Sequence, residues 1–280
     1  MTKDLSFNMP SGQKLWIVTG KGGTGKTTVA AALGIKAAEE GKKVLLVETH
    51  RLTHLGKLFG VGTVGYEATR VGPNLSLLQI NQEDAFEEYV LQQVRFKFLY
   101  DTVFNNRFVR HFIDGAPGLA ELLTIGKIWA LVEEKGSKSG KNAYDLVIVD
   151  APSTGHGLSL LTISQVVVDA VRVGPLHSKA KAILDLLRNP LKTILWLVTL
   201  AEEMPVNEAV EMAAKISRDA KMQLGPVVIN AVWPDILGDE GRKEIKQAKV
   251  DNDLLKLSGV GFDVPQIRGQ ACHQFDLLSN

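Results

Sequence analysis

Seven short runs of apolar, often β-branched residues, at 15–19, 43–48, 75–80, 144–150, 166–173, 192–199 and 226–232, alternate with stretches whose apolar residues recur at helical spacing. The runs are nearly continuous, as strands covered on both faces require. Between them, Leu176, Ala180, Ile183, Leu184 and Leu187 mark one helical stripe, and Val206, Ala209, Val210, Ala213 and Ile216 mark another. This alternation predicts an α/β chain built on a doubly wound, mostly parallel sheet with helices on both faces. No repeat, low-complexity segment or long linker divides it, so residues 13–280 read as one domain behind a flexible leader at 1–12.

One stretch interrupts the alternation. Residues 82–136 show no strand pattern and hold six of the ten phenylalanines: Phe86, Phe96, Phe98, Phe104, Phe108 and Phe112. Several helices are expected there rather than a structureless loop, as a helical subdomain inserted into the domain. Its aromatics either pack that insertion onto the sheet or form a groove for an apolar client or partner.

Composition narrows the class. A formal net charge of +1 over 280 residues offers no bulk attraction for nucleic acid or anionic membrane. No apolar run reaches the roughly 18 residues of a membrane span, and residues 1–13 lack a signal-peptide apolar core, so a cytoplasmic protein is expected. A single cysteine, Cys272, allows no internal disulfide.

The chemistry begins directly after the first run. Leu15-Trp16-Ile17-Val18-Thr19 leads into Gly20-Lys21-Gly22-Gly23-Thr24-Gly25-Lys26-Thr27-Thr28 and then an alanine-rich helical stretch to Glu40. This is the G-x-x-x-x-G-K-[ST] phosphate loop in its expected strand-to-helix setting. Glycines at 22, 23 and 25 let successive backbone N–H groups turn toward phosphate oxygens, and the following helix start adds positive potential. Lys26 is expected to pair with the β- and γ-phosphates and Thr27 to ligate Mg²⁺. The cradle for ATP or ADP then spans Gly22, Gly23, Thr24, Gly25, Lys26, Thr27 and Thr28. Asp150 ends the 144–150 run, where a carboxylate organises the nucleotide's Mg²⁺.

Lys21 is the unusual residue. GKGGTGKTT resembles the deviant Walker A motif of the SIMIBI class of P-loop NTPases, and Asp150-Ala151-Pro152-Ser153-Thr154-Gly155-His156 resembles the D-T-A-P-T-G-H signature of its ArsA-like branch. That branch holds the arsenite-pump and tail-anchored-protein-targeting ATPases. The resemblance runs from about residue 15 to about 270. It implies that Lys21 reaches a partner's phosphates across a nucleotide-sandwich dimer and that 150–156 is a switch sensing the γ-phosphate. Asn230, after Val227-Val228-Ile229, matches the asparagine reading the adenine edge. Val264-Pro265-Gln266-Ile267-Arg268-Gly269 resembles the adenine loop, with Pro265 and Ile267 as its contacts.

Three departures qualify the resemblance. In the ArsA-like pattern the second strand runs into D-P-A-H-x-L-S-D, whose first aspartate orients the attacking water. Here Glu48-Thr49 leads into His50-Arg51-Leu52-Thr53-His54-Leu55-Gly56-Lys57, which sets His50 at the catalytic aspartate and Lys57 at the second acidic position. A neutral histidine accepts a proton but competes poorly with a fixed carboxylate beside Mg²⁺, so hydrolysis should be slow. Glu48, two residues earlier on the same strand face, is the alternative. One cysteine also cannot build a metalloid, structural zinc or iron–sulfur site. Finally, the end of the sequence lacks a basic amphipathic face for direct membrane insertion.

Two functions are therefore expected. One is a slow Mg-ATP-driven ATPase, a homodimer or a heterodimer with a related ATPase, that couples nucleotide state to a hydrophobic client at the 82–136 helices. The other is a catalytically degenerate ATP-binding subunit paired with an active relative.

Overall fold

Strand β1 (Leu15–Gly20) is buried at every position and forms the axis of the sheet. The computed structural model describes residues 9–49, 54–93, 118–134 and 142–232. After β1 come helix α1 (Lys26–Glu39), β2 (Val44–Glu48), α2 (His54–Leu58), β3 (Thr69–Arg70), β4 (Leu75–Gln79) and α3 (Gln82–Gln93). Then follow α4 (Leu119–Glu133), β5 (Leu146–Asp150), α5 (Thr154–Ala170), α6 (Pro175–Arg188), β6 (Thr193–Leu200), α7 (Glu203–Lys215) with a π-helical turn at Ile216–Ala220, and β7 (Leu224–Asn230).

The sheet runs β3-β4-β2-β5-β1-β6-β7. Every pairing is parallel except the two-residue β3–β4 edge. The chain leaves β1 for one side, returns to β5, and later continues on the other side with β6. The reversal lies beside β1, and in open α/β sheets ligands bind outside the strand C-termini at such a point.

Side chains alternate between two cores. Leu15, Ile17, Val47, Val149, Leu195 and Leu197 face α4, α5, α6 and α7. Trp16, Val18, Leu46, Ile148, Trp196 and Val198 face α1 and α2. Trp16 and Trp196 meet there with ring centroids 5.3 Å apart. The sheet is thus sandwiched by helices, an α/β P-loop NTPase fold.

Helix α1 owes its close fit to small residues. Ala30, Ala31, Gly34 and Ala37 face the sheet, and a Cβ at Gly34 would stand 2.8 Å from Leu46 Cδ1. The helix ends in a Schellman motif. Gly41, at φ +89, donates to Ala38 O at 3.0 Å and Lys42 to Ala37 O at 3.2 Å.

Two sequence expectations require correction. The 166–173 run is not a strand, because its first half lies in α5. Val166, Val167 and Val168 are β-branched, but Gly157, Leu160, Leu161 and Ser164 recur on one buried helical face, and that packing overrides local propensity. Val210 lies off its predicted stripe and is 65% exposed, while Met212 takes the inner face. Within 82–136, α3 and α4 are the described elements. Phe86 packs against the first core, and the other five phenylalanines lie outside the described residues.

Candidate functional site

The C-terminal ends of β1, β2 and β5 converge beneath residues 20–27. Gly20 ends β1 at φ +153, and a Cβ there would lie 2.1 Å from Val198 O on β6, so a side chain is sterically barred. Gly25 caps α1 in the left-handed region at φ +88. A Cβ on Gly25 would meet Asn230 Nδ2 at 2.2 Å.

The loop is braced from within. The Lys21 carbonyl accepts Lys26 Nζ at 3.1 Å and Thr24 Oγ1 at 2.9 Å. Asn230, at the end of β7, donates Nδ2 to Thr24 O at 2.9 Å. Thr24 is buried with its hydroxyl turned inward, whereas Gly22, Gly23 and Thr28 are exposed. Lys26 is buried, and burial lowers its pKa from the ordinary lysine value against the opposing charge of Asp150.

Below the loop, Thr27 Oγ1 donates to Asp150 Oδ2 at 2.5 Å. Asp150 stands in register with Val18 on β1 and with Glu48 on β2. Both carboxylates have no exposed surface. Glu48 Oε1 accepts the His54 backbone N–H at 2.7 Å, tying β2 to the start of α2, while Oε2 is buried with no hydrogen-bond partner among the described residues. Burial is the main cause of a raised Glu48 pKa, backbone hydrogen bonds from His54 and Leu55 oppose it, and Asp150 adds to it. Hydroxyl and carboxylate oxygens are the hard donors that Mg²⁺ takes, and backbone N–H groups with a lysine suit a polyphosphate, so this donor set fits Mg-nucleotide.

The 150–156 segment is anchored to β1. Ala151 N donates to Val18 O at 3.0 Å, and Thr19 Oγ1 donates to Pro152 O at 3.0 Å. Gly157 is needed for this approach, since a Cβ would come within 2.9 Å of Pro152 O and Thr19 Oγ1. His156 Nδ1 lies 4.0 Å from Glu121 Oε1 of α4, linking the segment to the helices beyond the loop.

The structure therefore brings Lys21, Gly22, Gly23, Thr24, Gly25, Lys26, Thr27, Asp150 and Asn230 into one region. His50, Pro265 and Ile267 lie outside the described residues. Two contacts had no sequence signal. The Glu48 tie to α2 joins residues six apart in the chain, and Glu208 of α7 pairs with Lys21 at 2.7 Å. Glu208 belongs to no motif, so spacing alone could not select it.

Comparison with known proteins agrees with this geometry. Residues 13–177 match the family model described as anion-transporting ATPase. The chain is 33% identical over 257 residues to the ATPase BagA of Mycobacterium tuberculosis, covering 88% of this chain and 73% of that protein. It is 33% identical over 149 residues to an arsenical pump-driving ATPase of Escherichia coli, covering 52% of this chain and 24% of that protein.

Proposed function

Since the chain belongs to the anion-transporting ATPase family, we propose that it works as a nucleotide-switched dimer. In this reading it hydrolyses ATP slowly and uses the nucleotide state to hold or release a hydrophobic client or partner protein. ATPase activity follows from the family; the slow rate, the dimer and the client are our reading. The observation that carries it is the Thr27–Asp150 contact at 2.5 Å directly beneath the loop that holds Lys26.

Each residue has a distinct task. Backbone N–H groups of 22–25 bind phosphate oxygens, and the Lys26 ammonium pairs with the β- and γ-phosphates. Thr27 and Asp150 would hold Mg²⁺, which when bound neutralises charge on the phosphate oxygens. Asn230 faces the adenine side, with Pro265 and Ile267 proposed beside it. Lys21 acts on the partner subunit's nucleotide. Hydrolysis joins a water oxygen to the terminal phosphorus and breaks that phosphorus's bond to the bridging oxygen, and a nearby acceptor must orient the water. His50 occupies that sequence position, and Glu48 offers a buried carboxylate already tied to His54. Neither matches a fixed carboxylate aimed at water, hence the slow rate.

Coupling to a client is supported by two features. His156 in the switch lies near Glu121 on α4. On that side of the sheet, α3, α4 and α6 surround a mainly apolar cavity of about 190 Å³, lined by residues including Leu119, Leu122, Trp129, Leu176 and Ile183.

Single-turnover hydrolysis with enzyme in excess is the test. Slow product formation that falls further in Lys21→Ala supports this reading. No product from the wild-type chain favours the alternative that His50 suggests: an ATP-binding subunit that pairs with an active relative and hydrolyses nothing itself.

A further inference from the structure

Lys21 is held at both its backbone and its side chain. Its carbonyl accepts Lys26 Nζ and Thr24 Oγ1, which fixes the backbone. Its ammonium meets Glu208 Oε1 at 2.7 Å within the same chain. The fold aims these two groups at one another. Gly20 pairs with Val198 on β6, so the loop begins beside the strand that feeds α7, and Glu208 lies in the second turn of α7. The side chains are 27% and 36% exposed, so the pair is partly shielded but open to a competitor.

We propose that Glu208 is a positioning residue that governs when Lys21 is available. This rests on the reading above that Lys21 serves the partner subunit's nucleotide. While Lys21 is held against Glu208, one of its N–H donors is committed to the carboxylate and its direction is set by α7. The carboxylate therefore competes with the phosphates for one ammonium. A partly exposed ion pair of this kind biases an equilibrium by up to about fivefold. A polyphosphate carries more charge and outcompetes it, whereas a partner face without nucleotide does not. Glu208 thus makes closure of the dimer conditional on nucleotide, and α7 becomes part of the switching apparatus.

Two measurements on the full chain test this. Trace labelling with an amine-reactive ester, read by mass spectrometry at Lys21 without nucleotide, reports the pair directly. Glu208→Gln should raise Lys21 labelling about two- to fivefold. The second measurement is sedimentation with a non-hydrolysable Mg-ATP analogue in wild type, Glu208→Gln, Lys21→Ala and the double variant. Glu208→Gln should tighten association about two- to fivefold, and this gain should vanish in the Lys21→Ala background.

Unchanged Lys21 labelling, unchanged association, or an equal gain in both backgrounds would overturn the role of Glu208. If Lys21→Ala associates as tightly as wild type, the trans-acting role of Lys21 fails instead, while labelling still decides whether the pair exists.

Discussion

Glu48 and Asp150 face each other in register across the β2–β5 pair, both without exposed surface. Two buried carboxylates side by side repel, and each needs hydrogen bonds, a proton or a cation to remain there. Asp150 takes the Thr27 hydroxyl and Glu48 takes the first N–H of α2. The arrangement concentrates negative charge beneath the loop, where a bound cation would offset it, and ties the start of α2 to β2.

Replacing Lys26 should weaken nucleotide binding. A charge-assisted phosphate contact contributes about 1.5–3 kcal/mol, so Lys26→Ala should cost roughly ten- to hundredfold in ATP affinity by calorimetry. Unchanged affinity would rule the loop out as the nucleotide site.

The rate is expected to depend on position 50. His50→Asp restores a carboxylate acceptor and should raise single-turnover hydrolysis about tenfold or more. If the wild type is fast and His50→Asp abolishes turnover, the histidine or Glu48 orients the water.

Loop geometry makes a paired prediction. Gly25→Ala places a methyl 2.2 Å from Asn230 Nδ2 at a left-handed backbone position, so it should cost more than the roughly 1–2 kcal/mol of backbone strain alone and impair nucleotide binding. Gly22 has open space around it, so Gly22→Ala should leave stability to urea nearly unchanged. Adding Asn230→Ala to Gly25→Ala removes the clash but leaves the backbone strain. Urea unfolding should therefore show partial recovery; complete recovery or none would contradict the geometry.

Acid stability should depend on Glu88. Burial works against its charge, but hydrogen bonds from Lys127 and Tyr66, with the Lys127 charge, outweigh this and hold its pKa below the usual glutamate value. Lys127 Nζ lies 2.7 Å from Glu88 Oε2. A depressed carboxylate pKa contributes stability above the unfolded pKa and loses it as pH falls through the folded one. After solvent screening this is under about 1 kcal/mol. Lys127→Met should be less stable near neutrality, and the gap to wild type should narrow on acidification below the usual glutamate range. A constant gap across that range would assign the effect to packing.

Much of the fold could be read from the chain because five of the seven runs form strands that are almost wholly buried and nearly all apolar. The 226–232 run, at the exposed edge strand β7, carries the same β-branched pattern. The 166–173 run misled because three consecutive valines look like a strand locally, whereas the helical spacing of Leu160, Leu161 and Ser164 matters only once the sheet lies beneath it. The two-residue β3 edge was too short to leave a pattern. In the site, Lys26, Thr27 and Asp150 stood out because phosphate chemistry restricts residue type and spacing together. Glu208 did not, since a single acidic residue in an ordinary helix acquires its meaning only from the loop it touches.

The tilted tryptophan pair gives the sheet an optical marker. Trp16 on β1 and Trp196 on β6 are both buried with ring centroids 5.3 Å apart, on the strands that end at the nucleotide loop and lead into α7. Indoles this close couple when excited, and their near-ultraviolet circular dichroism depends on their mutual angle. Loss of that signal would report separation of β1 from β6 while helices elsewhere remained formed.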